Sequence, residues 1–224
     1  MARIARIVAV GYPHHVTQRG NNKQVIFKDD ADRKKYLDLI RIHSAKYRLD
    51  ILGYCLMANH VHFVAIPQTL DALAKTFNFA HMRYSQYFNK KMGMSGHLWQ
   101  GRFYSCVMDE RHLYACVRYI ERNPVRANIV KEPVNYQWSS ARIHCGIEEK
   151  DNLGVNRIFD YIEYTRGKWN NFIRTIDERE DIAEIKRHTL KGFPMGEEGL
   201  IRKLENKLGR FLRINPRGRP KNKK

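Results

Sequence analysis

Two histidines two residues apart, His60 and His62, stand in the stretch Asn59-His60-Val61-His62-Phe63-Val64-Ala65-Ile66-Pro67. A second stretch, Arg118-Tyr119-Ile120-Glu121-Arg122-Asn123-Pro124-Val125-Arg126, carries a tyrosine and an asparagine four residues apart. The first stretch reads as a β-strand. Side chains alternate faces along a strand, so His60 and His62 share one face and Val61, Phe63 and Ala65 the other. Two imidazoles held this way make half of a divalent-metal site. The plain alternative is a packed or surface histidine pair with no ligand. A metal needs a third protein ligand, and Asn123 is the best candidate. It lies about one helical turn after Tyr119, so the two side chains can project into one space. A phenol beside a cation that grips a phosphodiester is a nucleophile: the cation polarises the non-bridging oxygens and the phenol oxygen attacks in line. The products are a phosphotyrosine and a free 3′ hydroxyl, and the ester energy is kept for rejoining. An unperturbed phenol has a pKa of about 10, so the site must lower it or supply a base. Arg118 and Arg122 flank Tyr119 and add positive potential only if they point inward.

These residues need a scaffold. Residues 12–18 read as a first strand, and Arg19-Gly20-Asn21-Asn22-Lys23 as a turn in which Gly and Asn tolerate positive φ. Asp29 and Asp30 can cap a helix running to about Tyr47. Residues 50–57 form a second strand, joined to the histidine strand by the tight turn Ala58-Asn59. Thr69 is the candidate N-cap of the next helix, where Leu70, Leu73, Phe77, Ala80, Tyr84 and Tyr87 keep helical spacing. Phe103 to Met108 read as a fourth strand, and Asp109 caps the helix that carries Tyr119. The order β-α-β-β-α-β is the ferredoxin-like pattern of an α+β fold, with the histidine strand inside an antiparallel sheet. The two crossover helices should cover the Val61-Phe63-Ala65 face, and the helix bearing Tyr119 should cover the histidine face. Asn123-Pro124 should end that helix and begin a short new one. Another short helix follows Tyr136-Gln137-Trp138-Ser139-Ser140 and ends near Gly146.

The polar run 148–152 divides the chain into 1–148, a catalytic domain; 149–214, a helical basic extension; and 215–224, a basic tail expected to be disordered alone. In the extension, Trp169, Phe172, Ile173 and Ile176 suggest one small amphipathic helix. The last helix runs from Glu197 to Leu208 with Gly209 as its C-cap. Forty-one Lys and Arg stand against 23 Asp and Glu, a net charge of +18 and a pI near 9.9. Such a surplus implies a polyanionic partner, nucleic acid first and an anionic membrane second. No run of 18 apolar residues exists, and the apolar stretch Ile7 to Val10 is too short for a signal-peptide core. Cys55, Cys106, Cys116 and Cys145 form no CxxC pair and read as small apolar fillers in a reducing compartment.

His60-Val61-His62 followed by Tyr119 and Asn123 in Tyr-Ile-Glu-Arg-Asn-Pro-Val-Arg-Ala resembles the single-tyrosine HUH transposases, and within them the REP-associated tyrosine transposase branch, or IS200-like transposases. Tyr12-Pro13-His14-His15-Val16-Thr17-Gln18-Arg19-Gly20-Asn21-Asn22 resembles that branch's amino-terminal signature. So do Leu98-Trp99-Gln100-Gly101-Arg102-Phe103-Tyr104-Ser105 and Trp138-Ser139-Ser140. The likeness spans roughly residues 10–146. It implies a bacterial cytoplasmic, nucleoid-associated enzyme that uses Mg²⁺ or Mn²⁺ to cut and rejoin single-stranded DNA marked by an imperfect hairpin. It implies His60, His62 and Asn123 as metal ligands and Tyr119 as nucleophile, and it leaves monomer and homodimer both open. Arg19, Asn21, Asn22, Arg102, Arg118, Arg122 and Arg126 are the candidate DNA contacts. Plain turn chemistry is an even alternative for the first three. Arg217-Gly218-Arg219-Pro220-Lys221 resembles an AT-hook core, in which Arg217 and Arg219 enter a narrow minor groove; a solvated basic tail touching phosphates is the alternative. Trp99 and Tyr104 read as core residues that could otherwise stack on bases. His14, His15, His81 and His97 read as structural, with His97 a weak candidate near the site. The rival functions are a non-catalytic nucleic-acid-binding regulator and a basic membrane-surface protein. No single amphipathic helix concentrates the charge as the latter requires.

Overall fold

The computed structural model describes residues 6–213. The chain runs β1 (His14–Arg19), α1 (Asp30–Lys46), β2 (Leu49–Met57), β3 (His60–Pro67), α2 (Ala72–Met92), β4 (Tyr104–Val107) and α3 (Glu110–Glu121). The strands form one antiparallel sheet in the order β2-β3-β1-β4. This is the ferredoxin-like arrangement that the sequence pattern predicts, with β3 inside. Alternation along β3 sorts its two faces as expected. Val61, Phe63 and Ala65 are buried beneath Tyr36 and Ile40 of α1 and Leu73, Phe77 and Tyr84 of α2. Val64 and Ile66 face Cys116, Val117 and Ile120 of α3. Each of these large side chains contributes about 1.5–3 kcal/mol by leaving water, so the two-sided packing fixes the register of β3.

Helices α1 and α3 start at side-chain caps. Asp29 accepts from the Asp32 amide and Asp109 from the His112 amide, at 3.0 Å each. The second crossover helix departs from expectation. It begins at Ala72, with Asp71 rather than Thr69 at the N-cap. The Thr69 hydroxyl donates to Asp71 Oδ1 at 2.7 Å, and Leu70 is 66 % exposed instead of joining the apolar stripe. The loop after β1 also differs. Asn22 and Lys23 take positive φ, but Gly20 does not. Gly20 is required by space: a Cβ there would lie 2.4 Å from the Gln24 carbonyl oxygen. All four cysteines are free, and three are buried in the apolar interior.

Beyond the sheet follow α4 (Asn123–Arg126), α5 (Ala141–His144), α6 (Arg166–Arg174), α7 (Arg179–Lys191) and α8 (Glu198–Leu208). The helix break at Asn123-Pro124 and the Gly209 C-cap fall where the sequence puts them. Past the polar run 148–152, Val155 joins the core under α1 and α2, while Ile158, Trp169 and Ile185 join the core on the histidine face. Leu204 of α8 packs with Ile7, Val107 and Leu212. Ile176 lies outside α6 and is 87 % exposed, so it is not part of that helix's apolar stripe. Helix α7 has no counterpart in the sequence reading, and it packs against β4, β1 and α3. Among the described residues no helix is long and apolar enough to cross a membrane.

Candidate active site

Three elements converge above the histidine face of the sheet. Strand β3 presents His60 and His62 with ring centroids 5.0 Å apart. Helix α3 brings the Tyr119 ring edge-on to His62 at 5.7 Å, because Cys116, Val117 and Ile120 seat that helix on Val64 and Ile66. The kink between α3 and α4 turns Asn123 back, so its Nδ2 stands 3.2 Å from His60 Nε2. The Arg126 guanidinium stacks over the Tyr119 ring at 4.3 Å and donates to the Tyr119 carbonyl, which fixes the helix end and the phenol together. His60, His62 and Tyr119 line one cavity, and Asn123 meets it through His60. Its volume is about 400 Å³, and His15, Thr17, Arg19, Lys186 and Thr189 also line it. A larger cleft of about 940 Å³ between α1 and residues 135–153 shares no lining residue with it.

Burial keeps the imidazoles neutral. It drives His60 down to about 4, with Arg19 adding to the effect, and His15 down to about 3. His62 is driven well below its ordinary value by burial first and then by its neighbours His60, His15, Arg126 and Lys186. Neutral imidazoles have lone pairs to offer. His60 Nδ1 lies 2.7 Å from Asn59 Oδ1, an acceptor, so Nδ1 carries the hydrogen and Nε2 the lone pair. His62 Nδ1 lies 2.9 Å from His15 Nε2. Among the described residues no group of three or more His, Cys, Asp or Glu is arranged to hold a metal. A cation here would therefore rest on two imidazole nitrogens and the Asn123 carboxamide, leaving positions for water and substrate oxygens. That donor set fits a divalent cation that keeps open sites for substrate. Burial raises the Tyr119 phenol to about 12 despite the opposing charge of Arg126, so at neutrality it holds its proton.

The arginines near Tyr119 divide. Arg118 and Arg122 do not enter the cavity. Both are 8 % exposed and are tied to Asp177 at 3.6 and 3.0 Å, and to backbone and side-chain oxygens of residues 173–176. Arg126 also reaches Asp177, at 2.9 Å. One carboxylate thus gathers the three charges, and it lies far from them in sequence. Arg19 is exposed at the cavity rim and donates to Gln100 Oε1. Asn21 is half-buried, with its amide on the Leu98 carbonyl; Asn22 and Arg102 are exposed and do not line the cavity. Arg217 and Arg219 lie outside the described residues. Trp99 is a core residue, while Tyr104 lines the cavity. His14 bonds the Tyr12 carbonyl and the Ala9 amide, His81 bonds the Tyr36 hydroxyl, and His97 is exposed.

Three contributors escape the sequence reading. His15 is in the site, its ring stacked on His62 at 5.1 Å and edge-on to Tyr119 at 6.0 Å. Lys186 and Thr189 come from α7. A signal existed for His15 and Thr189. Strand alternation puts one of the adjacent pair His14 and His15 on the histidine face. Ile182, Ile185 and Thr189 keep helical spacing ahead of Gly192.

An antiparallel β2-β3-β1-β4 sheet with a His-x-His pair on an inner strand, faced by a helix-borne tyrosine, defines the class. The family model described as "Transposase IS200 like" matches residues 9–123, just over half of the chain. The chain belongs to the IS200-like transposase family. Among solved structures, a REP-associated tyrosine transposase bound to a REP hairpin matches with a TM-score of 0.55 and 17 % identity, over 68 % of this chain and 90 % of that one. A putative transposase from Deinococcus radiodurans matches with a TM-score of 0.39 and 17 % identity, over 54 % of this chain and 97 % of that one. No curated protein matches.

Proposed function

We propose that this transposase nicks and rejoins single-stranded DNA through a tyrosine nucleophile, at sites marked by REP-like imperfect hairpins. The observation that carries the reading is the placement of the Tyr119 ring within 5.7 Å of His62, inside one chain. In the reaction Tyr119 Oη attacks the phosphorus in line. The bond to the 3′ oxygen breaks, that oxygen takes a proton, and a 5′-phosphotyrosine and a free 3′ hydroxyl result. Attack by a 3′ hydroxyl on the phosphotyrosine reverses the step and restores the phenol, with no external energy source. Bound Mg²⁺ or Mn²⁺ would neutralise charge on the non-bridging oxygens. His60, His62 and Asn123 are the residues that would hold it, the last through its carboxamide oxygen once its Nδ2 leaves the hydrogen bond to His60 Nε2. Arg126 keeps the phenol aimed. Arg19 and Lys186 offer positive charge to the incoming backbone. A monomer suffices, since nucleophile and imidazoles belong to one chain, and the setting is the bacterial cytoplasm at the nucleoid. Hairpin binding is supported by family membership and by the hairpin carried by the similarly folded REP-associated transposase.

The test is a 3′-labelled hairpin-bearing strand incubated with the protein and Mn²⁺, then run on a denaturing gel. A covalent, denaturant-resistant product is expected. Tight binding with no such product would leave a non-catalytic regulator instead. Excess EDTA should lower adduct formation by about 10³-fold, the several kcal/mol that a Lewis acid supplies. Undiminished adduct in EDTA would remove the metal from the account.

A further inference from the structure

His62 is one end of a buried hydrogen-bonded chain that leaves the sheet and ends on α7. His62 Nδ1 lies 2.9 Å from His15 Nε2, and His15 Nδ1 lies 2.7 Å from the Thr189 hydroxyl. The three residues are 6, 1 and 2 % exposed, and the two imidazoles stack at 10°. Thr189 lies well outside the segment that carries the family match. We propose that His15 and Thr189 are positioning residues that hold His62 as its Nδ1–H tautomer and present its Nε2 lone pair to the divalent cation. The carboxyl-terminal extension thereby becomes part of the metal site. This inference rests on the metal reading given above.

Two proton arrangements fit the distances. If Thr189 donates toward His15, then His15 Nε2–H donates to His62 Nδ1, and the remaining hydrogen falls on His62 Nε2. That atom is then blocked to a cation. If the chain runs the other way, His62 Nδ1–H donates to His15 Nε2 and His15 Nδ1–H donates to Thr189 Oγ1. His62 Nε2 is then bare. The second arrangement requires Thr189 to place its own hydroxyl hydrogen elsewhere. Cys106 supplies a neighbouring acceptor: the Thr189 side chain beside it favours the Cys106 thiolate, while its own S–H faces the Val107 carbonyl at 3.5 Å. Every hydrogen then has a place, and the open nitrogen is the one a ligand needs. Metal-bound histidines generally have the other ring nitrogen anchored in this way, and loss of the anchor weakens metal binding by about 10–100-fold.

The test uses Mn²⁺ alone as probe and the whole 224-residue chain, with affinity read by electron paramagnetic resonance. Thr189→Val keeps the shape and removes the hydroxyl; it should weaken Mn²⁺ binding by about 10–100-fold. Thr189→Ser restores the hydroxyl and should restore the affinity, which a purely space-filling role for Thr189 does not require. Wild-type affinity in a folded Thr189→Val chain would overturn the relay while leaving the metal reading intact. A wild-type chain whose Mn²⁺ signal is absent or unmoved by His60→Ala would overturn both. Should the valine variant fail to fold, ¹⁵N spectra of metal-free wild type decide: hydrogen on His62 Nδ1 supports the relay, and hydrogen on Nε2 ends it.

Discussion

Tyr119→Phe should abolish the phosphotyrosine adduct and lower nicking by at least about 10³-fold, as removal of a nucleophile does, while hairpin affinity should stay within about threefold. The reasoning is geometric. Phenylalanine keeps the ring that Arg126 covers at 4.3 Å and that His62 and His15 meet edge-on. The packing of α3 on the sheet is unchanged, and so are the basic side chains Arg19 and Lys186 at the cavity. Only the oxygen is lost. That oxygen begins in an unreactive state. With the phenol pushed up to about 12, about one molecule in 10⁵ is ionised at pH 7. On the proposed reading, activation of the phenol would come from charge placed beside it when DNA binds. Denaturing gels measure adduct and nicking, and fluorescence anisotropy measures binding. A phenylalanine variant that cuts at the wild-type rate would show that a different group attacks.

The sequence carried the scaffold because period-two and helical patterns survive without coordinates. Val61, Phe63 and Ala65 against His60 and His62 define the two faces of β3, and Asp29 and Asp109 mark helix starts with local chemistry. What it hid depends on register and on distant partners. His15 faces His62 because β1 pairs Thr17 with His62, and His15 shares the face of Thr17. Nothing in His14-His15 alone says which of the two turns inward. Arg118, Arg122 and Arg126 form a basic stripe that reads as a DNA contact until Asp177 is found to gather it. Helix α7 is mostly charged, so the few inward residues that place Thr189 beside the site, Ile185 among them, are diluted in the pattern.

Glu121→Ala should be the most damaging substitution to the fold that leaves the cavity's own residues in place. Glu121 sits two positions beyond the nucleophile, on α3, and is fully buried. One carboxylate oxygen accepts from Ser140 and faces His144 Nδ1 at 2.6 Å; the other accepts from Trp169 Nε1 at 3.0 Å. His144 Nε2 in turn donates to the Val155 carbonyl at 3.1 Å. The side chain therefore ties the tyrosine helix to α5, to the segment at Val155 and to α6. A buried polar group left without its partner costs about 1–3 kcal/mol, because it has no water to turn to. Here the Ser140 hydroxyl, the Trp169 indole N–H and the His144 ring would all be stranded. The urea midpoint should fall by at least about 1 M, given the usual slope for a chain of this size. Glu121→Gln keeps the shape and half of the acceptors and should cost less, about 1–3 kcal/mol. The extension should loosen with α3, so adduct formation by the alanine variant should fall at temperatures where the wild type remains folded. An alanine variant within 1 kcal/mol of wild type, measured as about a fivefold or smaller change in the unfolding constant, would show that the network fills space without holding the Tyr119 helix in place.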